Sequence, residues 1–498
     1  MKYTKYKIVA FLALSTLMLG GCKKFLDTNK NPNIAGNPGI ELVLPSAQVE
    51  IAHVIGNNFQ VNGSFWSQYW TQSPLANQYK QYDQYQPSTD NYNRSWGILY
   101  NGALNDLQYV YKTAASKSDK NYMAISRLLT AYTFQVITDA WGDAPCVEAI
   151  KGLEVDGGNV NPAYDAQAAI YDTIISQINE AISLIDVNSP AHPGADDLIY
   201  GGDMTLWSEF AYTLKLKVAM RLSEVNPTKA AALIAEIEAD PNFAGFIADA
   251  TGDAKITCTS AGGSENPLYS EIVGVGKTQN LFASATCVDS MNANSDPRVF
   301  VFYKPLANGN VVGNTQGDYN NSTSATGKSI VSYIVGGEAA QALSATAPVR
   351  LLSVSESLLL QAEASARGWL TGGDDASLFY SAIDASFEAY GITDAPTIAY
   401  YKDSTNWGLY PTAPTTTIDD KIRHIVTQKW FSMCGNQGFE AWTEQRRTGY
   451  PDFLIQSVNS LIGSKRPARF VYPTEEINLN ANFPGLKSVD QKVWWDVN

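Results

Sequence analysis

Ala124-Ile125-Ser126-Arg127-Leu128-Leu129-Thr130-Ala131-Tyr132, running on to Trp141-Gly142-Asp143-Ala144-Pro145, decides the fold class of this chain. Ile125, Leu129, Tyr132 and Val136 recur at helical spacing, so the stretch predicts a helix that starts at Asp119 and buries one face. Trp141-Gly142-Asp143 ends it, because glycine permits the reversal and Pro145 forbids continuation. Ala124 and Ala131 are small where a second helix would approach closely. A long helix with small residues at its contact positions is one half of a helix pair.

More such segments lie on both sides. Asp90 can cap a helix reaching about Ala115, and Asn161-Pro162 supply a cap and first-turn proline for one carrying the stripe Ile170, Ile174, Ile178, Ala181 and Ile185. Trp207–Val225 and Pro227–Ala239 follow, then Ser353–Trp369, Asp375–Tyr390, Ile418–Met433 and Phe439–Arg447. Ala169 with Ala181, and Ala362 with Ala366, repeat the close-approach pattern. Between about Asp240 and Pro348 helical period disappears and Gly, Ser, Thr and Asn rise, which predicts loops with short strands such as Arg298–Lys304 and Ser329–Val335. The expected fold is mainly α: tetratricopeptide-like helix pairs as scaffold, with an irregular loop and short-strand region for binding. The domain plan is a single domain over 38–498, with helical scaffold at 38–239 and 349–447, the irregular region at 240–348 and an extended tail at 448–498.

The first residues carry a separate message. Lys2, Lys5 and Lys7 precede an apolar run from Ile8 to Leu19, too short for a stable membrane span, that stops at Leu19-Gly20-Gly21-Cys22. This is the layout of a lipoprotein signal over residues 1–21, with Cys22 as the acylated new N-terminus and 22–37 as a tether. Two or three acyl chains, at about 0.8 kcal/mol per buried methylene, anchor a protein without a spanning segment. The formal charge is −14, and removing the three signal lysines leaves −17. Such a balance argues against nucleic acid and anionic lipid as partners.

No GxSxG, HExxH, Walker or GxGxxG motif is present, and the chain reads as a binding protein rather than an enzyme. Pairs such as Asp249 with Asp253, or Glu475 with Glu476, read as solvated carboxylates. His53, His192 and His424 have no metal or triad spacing, so no cofactor is expected; a structural calcium ion on loop carboxylates stays open. Cys258 and Cys287 could bridge in an oxidising compartment.

The aromatic crowding from Phe65 to Tyr100, interleaved with Gln78, Gln81, Gln84, Asn91 and Asn93, is where a sugar or peptide would be gripped. Trp66, Tyr69 and Trp70 share a helix face and read equally well as core. Tyr79, Tyr82 and Tyr85 lie in a polar stretch closed by Pro87 and are expected to be exposed. Arg298, Tyr303, Tyr319, Asn320 and Tyr333 in the middle region form a second candidate surface. In the block Gly438 to Pro451, Glu440, Glu444, Arg446 and Arg447 read as ion pairs on a helix surface.

Several stretches together resemble the SusD/RagB family of outer-membrane nutrient-binding lipoproteins, in particular its branch with an RRTGYP signature. They are Leu19–Cys22 followed by Asn29–Asn33, Ala124–Tyr132 leading to Trp141–Pro145, Ala168–Ile185, Leu358–Ala364, Glu440–Pro451, Arg469–Glu476 with Asn478, and Trp494–Asp496. The resemblance implies four tetratricopeptide-like helix pairs carrying an irregular binding part. It implies a lipid-anchored position on the outer membrane at the cell surface. It also implies a SusC-like TonB-dependent barrel as partner, with the lipoprotein as a hinged lid that captures oligosaccharide, or peptide in RagB-like members. Lys23-Lys24 stand where an acidic export run is common, which departs from the pattern. A purely structural or assembly lipoprotein and a surface hydrolase are the alternatives from other classes.

Overall fold

A computed structural model describes residues 38–152, 158–321 and 326–498, so the signal, Cys22 and the tether lie outside the described residues. Residues 40–498 form one compact unit. The scaffold helices are α1 (Ile40–Val54), α2 (Asn105–Lys117), α3 (Lys120–Trp141), α4 (Gln167–Leu184), α5 (Met204–Arg221), α6 (Pro227–Ala239), α7 (Val354–Ala366), α8 (Asp375–Ala389), α9 (Ile418–Met433) and α10 (Gly438–Thr448). Consecutive members pack on one another: α2 on α3, α3 on α4, α5 on α6, α7 on α8, α9 on α10, with α5 against α7 joining the two stretches of scaffold. The fold is thus mainly helical, of tetratricopeptide-like pairs.

Local chemistry explains most boundaries. Asn226 accepts from Lys229 N at 3.1 Å and Pro227 opens α6. Thr417 and Asp420 form a capping box on α9. Helix α3 ends at Gly142, whose φ of +79° no ordinary residue adopts cheaply. Its predicted face, Ile125, Leu129, Tyr132 and Val136, is buried, as are Ile170, Ile174, Ile178 and Ala181 of α4. Ala124, Ala131, Ala181 and Ala362 are buried at close contacts, but Ala169 faces solvent. The closest approach falls at Gly63 in the short helix Gln60–Trp66: a Cβ there would lie 2.2 Å from Phe439 N at the start of α10.

Three local expectations are corrected. Helix α4 begins at Gln167, not at Asn161-Pro162, because its first amide is held by Asp143 Oδ1 at 2.9 Å, while Asn161 Oδ1 accepts from Ala481 N at 2.8 Å in the tail. Toward α2, Ser88 rather than Asp90 caps the first turn, accepting from Asp90 N at 3.3 Å. The expected strands at 298–304 and 329–335 reduce to isolated bridges, Tyr303 with Val331 and Phe282 with Ile330, because Asp296 accepts from Arg298 N at 3.0 Å and starts a helical turn over Val299–Phe302. Among the described residues the sheets are two antiparallel pairs: β1 (Trp70–Gln72) with β3 (Leu281–Ala283), and β2 (Ala254–Ile256) with β4 (Val349–Leu352).

The charges of α10 are not on a surface. Glu440, Glu444, Arg446 and Arg447 are all buried, because α10 is packed in among other scaffold elements. Arg447 reaches Glu363 Oε2 at 2.6 Å and Glu444 Oε2 at 2.7 Å, Lys429 reaches Glu444 at 3.1 Å, and Lys217 bridges Glu356 at 2.9 Å and Glu440 at 3.0 Å. Arg221 contacts Glu440, Glu444 and, at 3.2 Å, Asp139. Burial pushes the Glu444 carboxyl up, but Arg447, Lys429 and Arg221 outweigh it and hold the group well below the usual carboxylate range. Charges from α5, α7, α9 and α10 thus neutralise one another in the interior.

The Cys258–Cys287 bridge that the sequence leaves open is not formed. Cys287 Sγ instead lies 4.0 Å from Cys434 Sγ, and Cys146, Cys258, Cys287 and Cys434 are all free and buried. Among the described residues no helix is long and apolar enough to cross a membrane, and no cluster of three or more His, Cys, Asp or Glu side chains could hold a metal ion.

Candidate functional site

The tyrosines expected on the surface point inward. Tyr79, Tyr82 and Tyr85 are only 5%, 3% and 2% exposed, and the rings of Tyr79 and Tyr82 stack 5.9 Å apart with Phe65 edge-on to both. Trp66 and Trp70 are buried as well, Trp66 donating from Nε1 to Tyr82 O at 3.1 Å. Polar residues around these rings are buried hydrogen-bond partners rather than a solvated face. Gln72 Oε1 accepts from Tyr79 N at 2.6 Å. Asp83, at the end of the short helix Lys80–Asp83, accepts from Gln72 N (2.8 Å), Thr71 Oγ1 (2.9 Å) and Gln316 Nε2 (2.6 Å). Burial nevertheless pushes the Asp83 carboxyl up to about 7. Gln68 and Tyr85 both hold left-handed backbone, at φ of 60° and 57°.

With the rings inside, the hydroxyls reach a small pocket. Tyr82 Oη accepts from Asn58 Nδ2 at 3.1 Å and Asn91 Nδ2 at 3.3 Å, and Tyr79 Oη donates to Glu271 Oε1 at 2.6 Å. Ser95 Oγ donates to Asn58 Oδ1 at 3.3 Å, and Gln78 Nε2 to Glu271 Oε1 at 2.8 Å. Asn58, Asn91, Ser95 and Glu271, with His53, Asn57 and Arg94, line a cavity of about 150 Å³. Asn57 and Asn58 stand on a π-helical turn, Ile55–Phe59, whose extra residue rotates them off the register of α1; such bulges recur at functional sites. Burial and the Arg94 charge both lower the His53 pKa, so its ring is uncharged at neutral pH. The pocket therefore offers amide, hydroxyl and guanidinium donors and one carboxylate acceptor. That is hydrogen-bonding equipment for a polyhydroxyl ligand.

The other predicted residues divide into two groups. Tyr319, which is buried, and Asn320 lie near the same short helix: Lys80 Nζ is 5.0 Å from the Tyr319 ring centre, and Asn320 Nδ2 donates to Asn459 Oδ1 at 3.4 Å. Arg298 and Tyr303 are structural. Arg298 is fully buried, paired with Asp296 at 2.6 Å and bonded to Ser386, Tyr401 and Gln428. Tyr303 Oη donates to Tyr69 O at 2.9 Å. Tyr333 is 37% exposed on a separate turn over Tyr333–Val335. Sequence reading missed His53, Asn58, Arg94 and Glu271; the π turn that carries Asn58 leaves no periodic signal.

Residues 33–473 match the family described as starch-binding and associating with the outer membrane. This chain belongs to that SusD-like family. A structure titled as a chitin-binding protein is 24% identical, covering 92% of this chain and all of its own, with a TM-score of 0.75. A chitin-binding SusD homolog from Flavobacterium johnsoniae, 22% identical, covers 92% of this chain and 99% of its own with the same score. A SusD homolog from Bacteroides uniformis is 22% identical over 92% and 99%, at 0.72. At these identities the structural likeness establishes the SusD-like fold alone. No curated protein matches the chain.

Proposed function

We propose that the chain is a non-enzymatic glycan-capturing lipoprotein of the outer membrane, acylated at Cys22 and displayed at the cell surface. It binds a neutral oligosaccharide at the amide pocket and passes it, as a hinged lid, to a SusC-like TonB-dependent barrel. Membership of a starch-binding family and the chitin-binding titles of two relatives support the ligand class. The observation that carries the site is the convergence of Asn58, Asn91, Ser95, Arg94 and an uncharged His53 on one small cavity, with Asn58 and Asn91 held from behind by the Tyr82 hydroxyl. A ligand rich in hydroxyls satisfies such groups without a charge of its own.

Calorimetric titration of the soluble chain from residue 23 with malto- and chito-oligosaccharides, alongside peptide pools, tests it. Asn58→Ala with Asn91→Ala should weaken binding of the neutral glycan by about tenfold or more, since two buried hydrogen bonds are lost. Unchanged affinity removes the pocket from the site, and binding of peptides alone overturns the ligand class. Mass spectrometry of the membrane-extracted protein tests acylation at Cys22.

A further inference from the structure

A second cleft, of about 480 Å³, shares no lining residue with the amide pocket. It opens between the loop before β2, the start of α7 and one face of α8. Its floor is Arg350 on β4, 7% exposed and register partner of Lys255 on β2. Arg350 Nε donates to Asp253 Oδ2 at 3.0 Å, and the same oxygen takes Lys255 Nζ at 3.1 Å, so Asp253, expected to be solvated, is a buried counter-ion to two cations. With the Asn436 amide turned so that its oxygen faces the guanidinium, Nη1 donates to that oxygen at 3.1 Å, and the guanidinium lies 5.4 Å from the Tyr390 ring centre. Nη2 has no partner among the described residues. A rigidly held guanidinium therefore keeps one edge for something in the cleft.

The walls carry the opposite sign. Helix α8 contributes Ser381, Asp384, Ala385 and Glu388 at helical spacing, and the facing loop contributes Asp249. Asp384 is paired with Lys402 at 2.8 Å. Glu388 has no partner among the described residues. Asp249 is bonded only within its own turn, to Thr251 N at 2.8 Å and Thr251 Oγ1 at 2.5 Å, which lowers its pKa and keeps it ionised. Four carboxylates against two cations leave the lining at −2. Ser353, Ser355, Ser432 and Gln437 add neutral polar groups, and the volume lies within the ~300–1,000 Å³ of small-molecule sites.

We propose that this cleft is a second ligand site, for an amine-bearing sugar: an oligosaccharide with unacetylated glucosamine units. Its ammonium sits between Glu388 and Asp249, and its hydroxyls meet Arg350 Nη2 and the serines. A neutral sugar leaves the two carboxylates without a countercharge, and an anionic one meets the −2 lining. The site goes beyond the reading of the amide pocket and does not need it to be right.

The soluble chain from residue 23 is titrated with fully deacetylated chitotetraose, its N-acetylated counterpart and maltotetraose at pH 6. The deacetylated oligomer should bind more tightly than either neutral one, weaken with added salt, and lose the preference above pH about 8, where an amino group gives up its charge. Glu388→Gln, a change at an exposed position, should weaken it about tenfold, and adding Asp249→Asn should abolish the preference. Asn58→Ala with Asn91→Ala should leave it unchanged, so failure of the amide pocket shows separately. Equal affinity for the N-acetylated oligomer overturns the proposal. So does binding that ignores Glu388→Gln, or a lysine-rich tetrapeptide that binds as tightly as the amino sugar.

Discussion

The scaffold and the amide pocket bury polar groups in opposite ways. In the scaffold, full charges from α3, α5, α7, α9 and α10 meet at 2.6–3.2 Å and close on themselves, so the helix stack is fixed from within. At the pocket amides and hydroxyls predominate beside Arg94 and Glu271, and only part of the amides' capacity is used internally. Closed ion networks specify a packing, whereas half-used amides can be offered to a visitor. Stripping a buried charge of its counter-ion costs several kcal/mol in desolvation, so the network tolerates little change. The difference therefore separates the part that must hold still from the part that can bind.

The largest effect should come from breaking the scaffold network. Arg447→Met takes one of two guanidinium partners from Glu363 and leaves Glu444 with Lys429 and Arg221 alone, and the expected loss is about 3–5 kcal/mol in urea unfolding, with any glycan affinity that survives unchanged. A loss under 1 kcal/mol would mean that the network contributes little to the stack.

Next comes a pH effect at the site. The folded-state pKa of Asp83 is raised from 3.8 to about 7, so the folded chain binds this proton more tightly than the unfolded chain does. The Asp83 contribution should therefore be whole below about pH 4 and be lost as pH rises to 7, by up to about 4 kcal/mol, with no further change above that. Glu50, raised to about 7 by burial and by Asp106, adds in the same direction. Urea midpoints from pH 5 to 8 test this: Asp83→Asn should lower the slope whatever its absolute stability, and an unaltered slope clears Asp83.

A smaller effect concerns the thiols. Mild oxidation should join Cys287 to Cys434, whose sulfurs are 4.0 Å apart, and leave Cys258 free. Peptide mapping that recovers a Cys258–Cys287 bridge instead would contradict the packing of the helix Ala285–Ala293 against the end of α9.

What the sequence discloses is what local chemistry determines. Helices α6 and α9 are legible to the residue, because Asn226-Pro227 and the Thr417/Asp420 box act within one turn. The start of α4 is not, since its capping carboxylate, Asp143, lies 24 residues upstream. The same distance effect hides the site. Tyr79 to Tyr85 look exposed because their neighbours are glutamines and an aspartate, but Gln316, which holds Asp83, is 233 residues away. The charges of α10 read as a surface for the same reason: Glu363 is 84 residues from Arg447, and Arg221 is 223 from Glu444. Pattern reading found the aromatic segment that underlies the pocket and mistook buried tyrosines for exposed ones.

That mistake sets the sharpest test of the comparison. Had the rings been a stacking platform, truncating them to alanine would be the informative change; buried as they are, it would leave cavities and cost about 3–5 kcal/mol, confusing folding with binding. Tyr82→Phe isolates the hydroxyl. The ring stays in its stack with Tyr79 and Phe65, and only the acceptor shared by Asn58 and Asn91 is lost. Stability should fall by about 1 kcal/mol, and glycan affinity by a few-fold, because the two amides are no longer held in place for the ligand. If affinity stays level while stability drops, the hydroxyl serves the core alone, and the division between a closed scaffold and an open pocket must be drawn elsewhere.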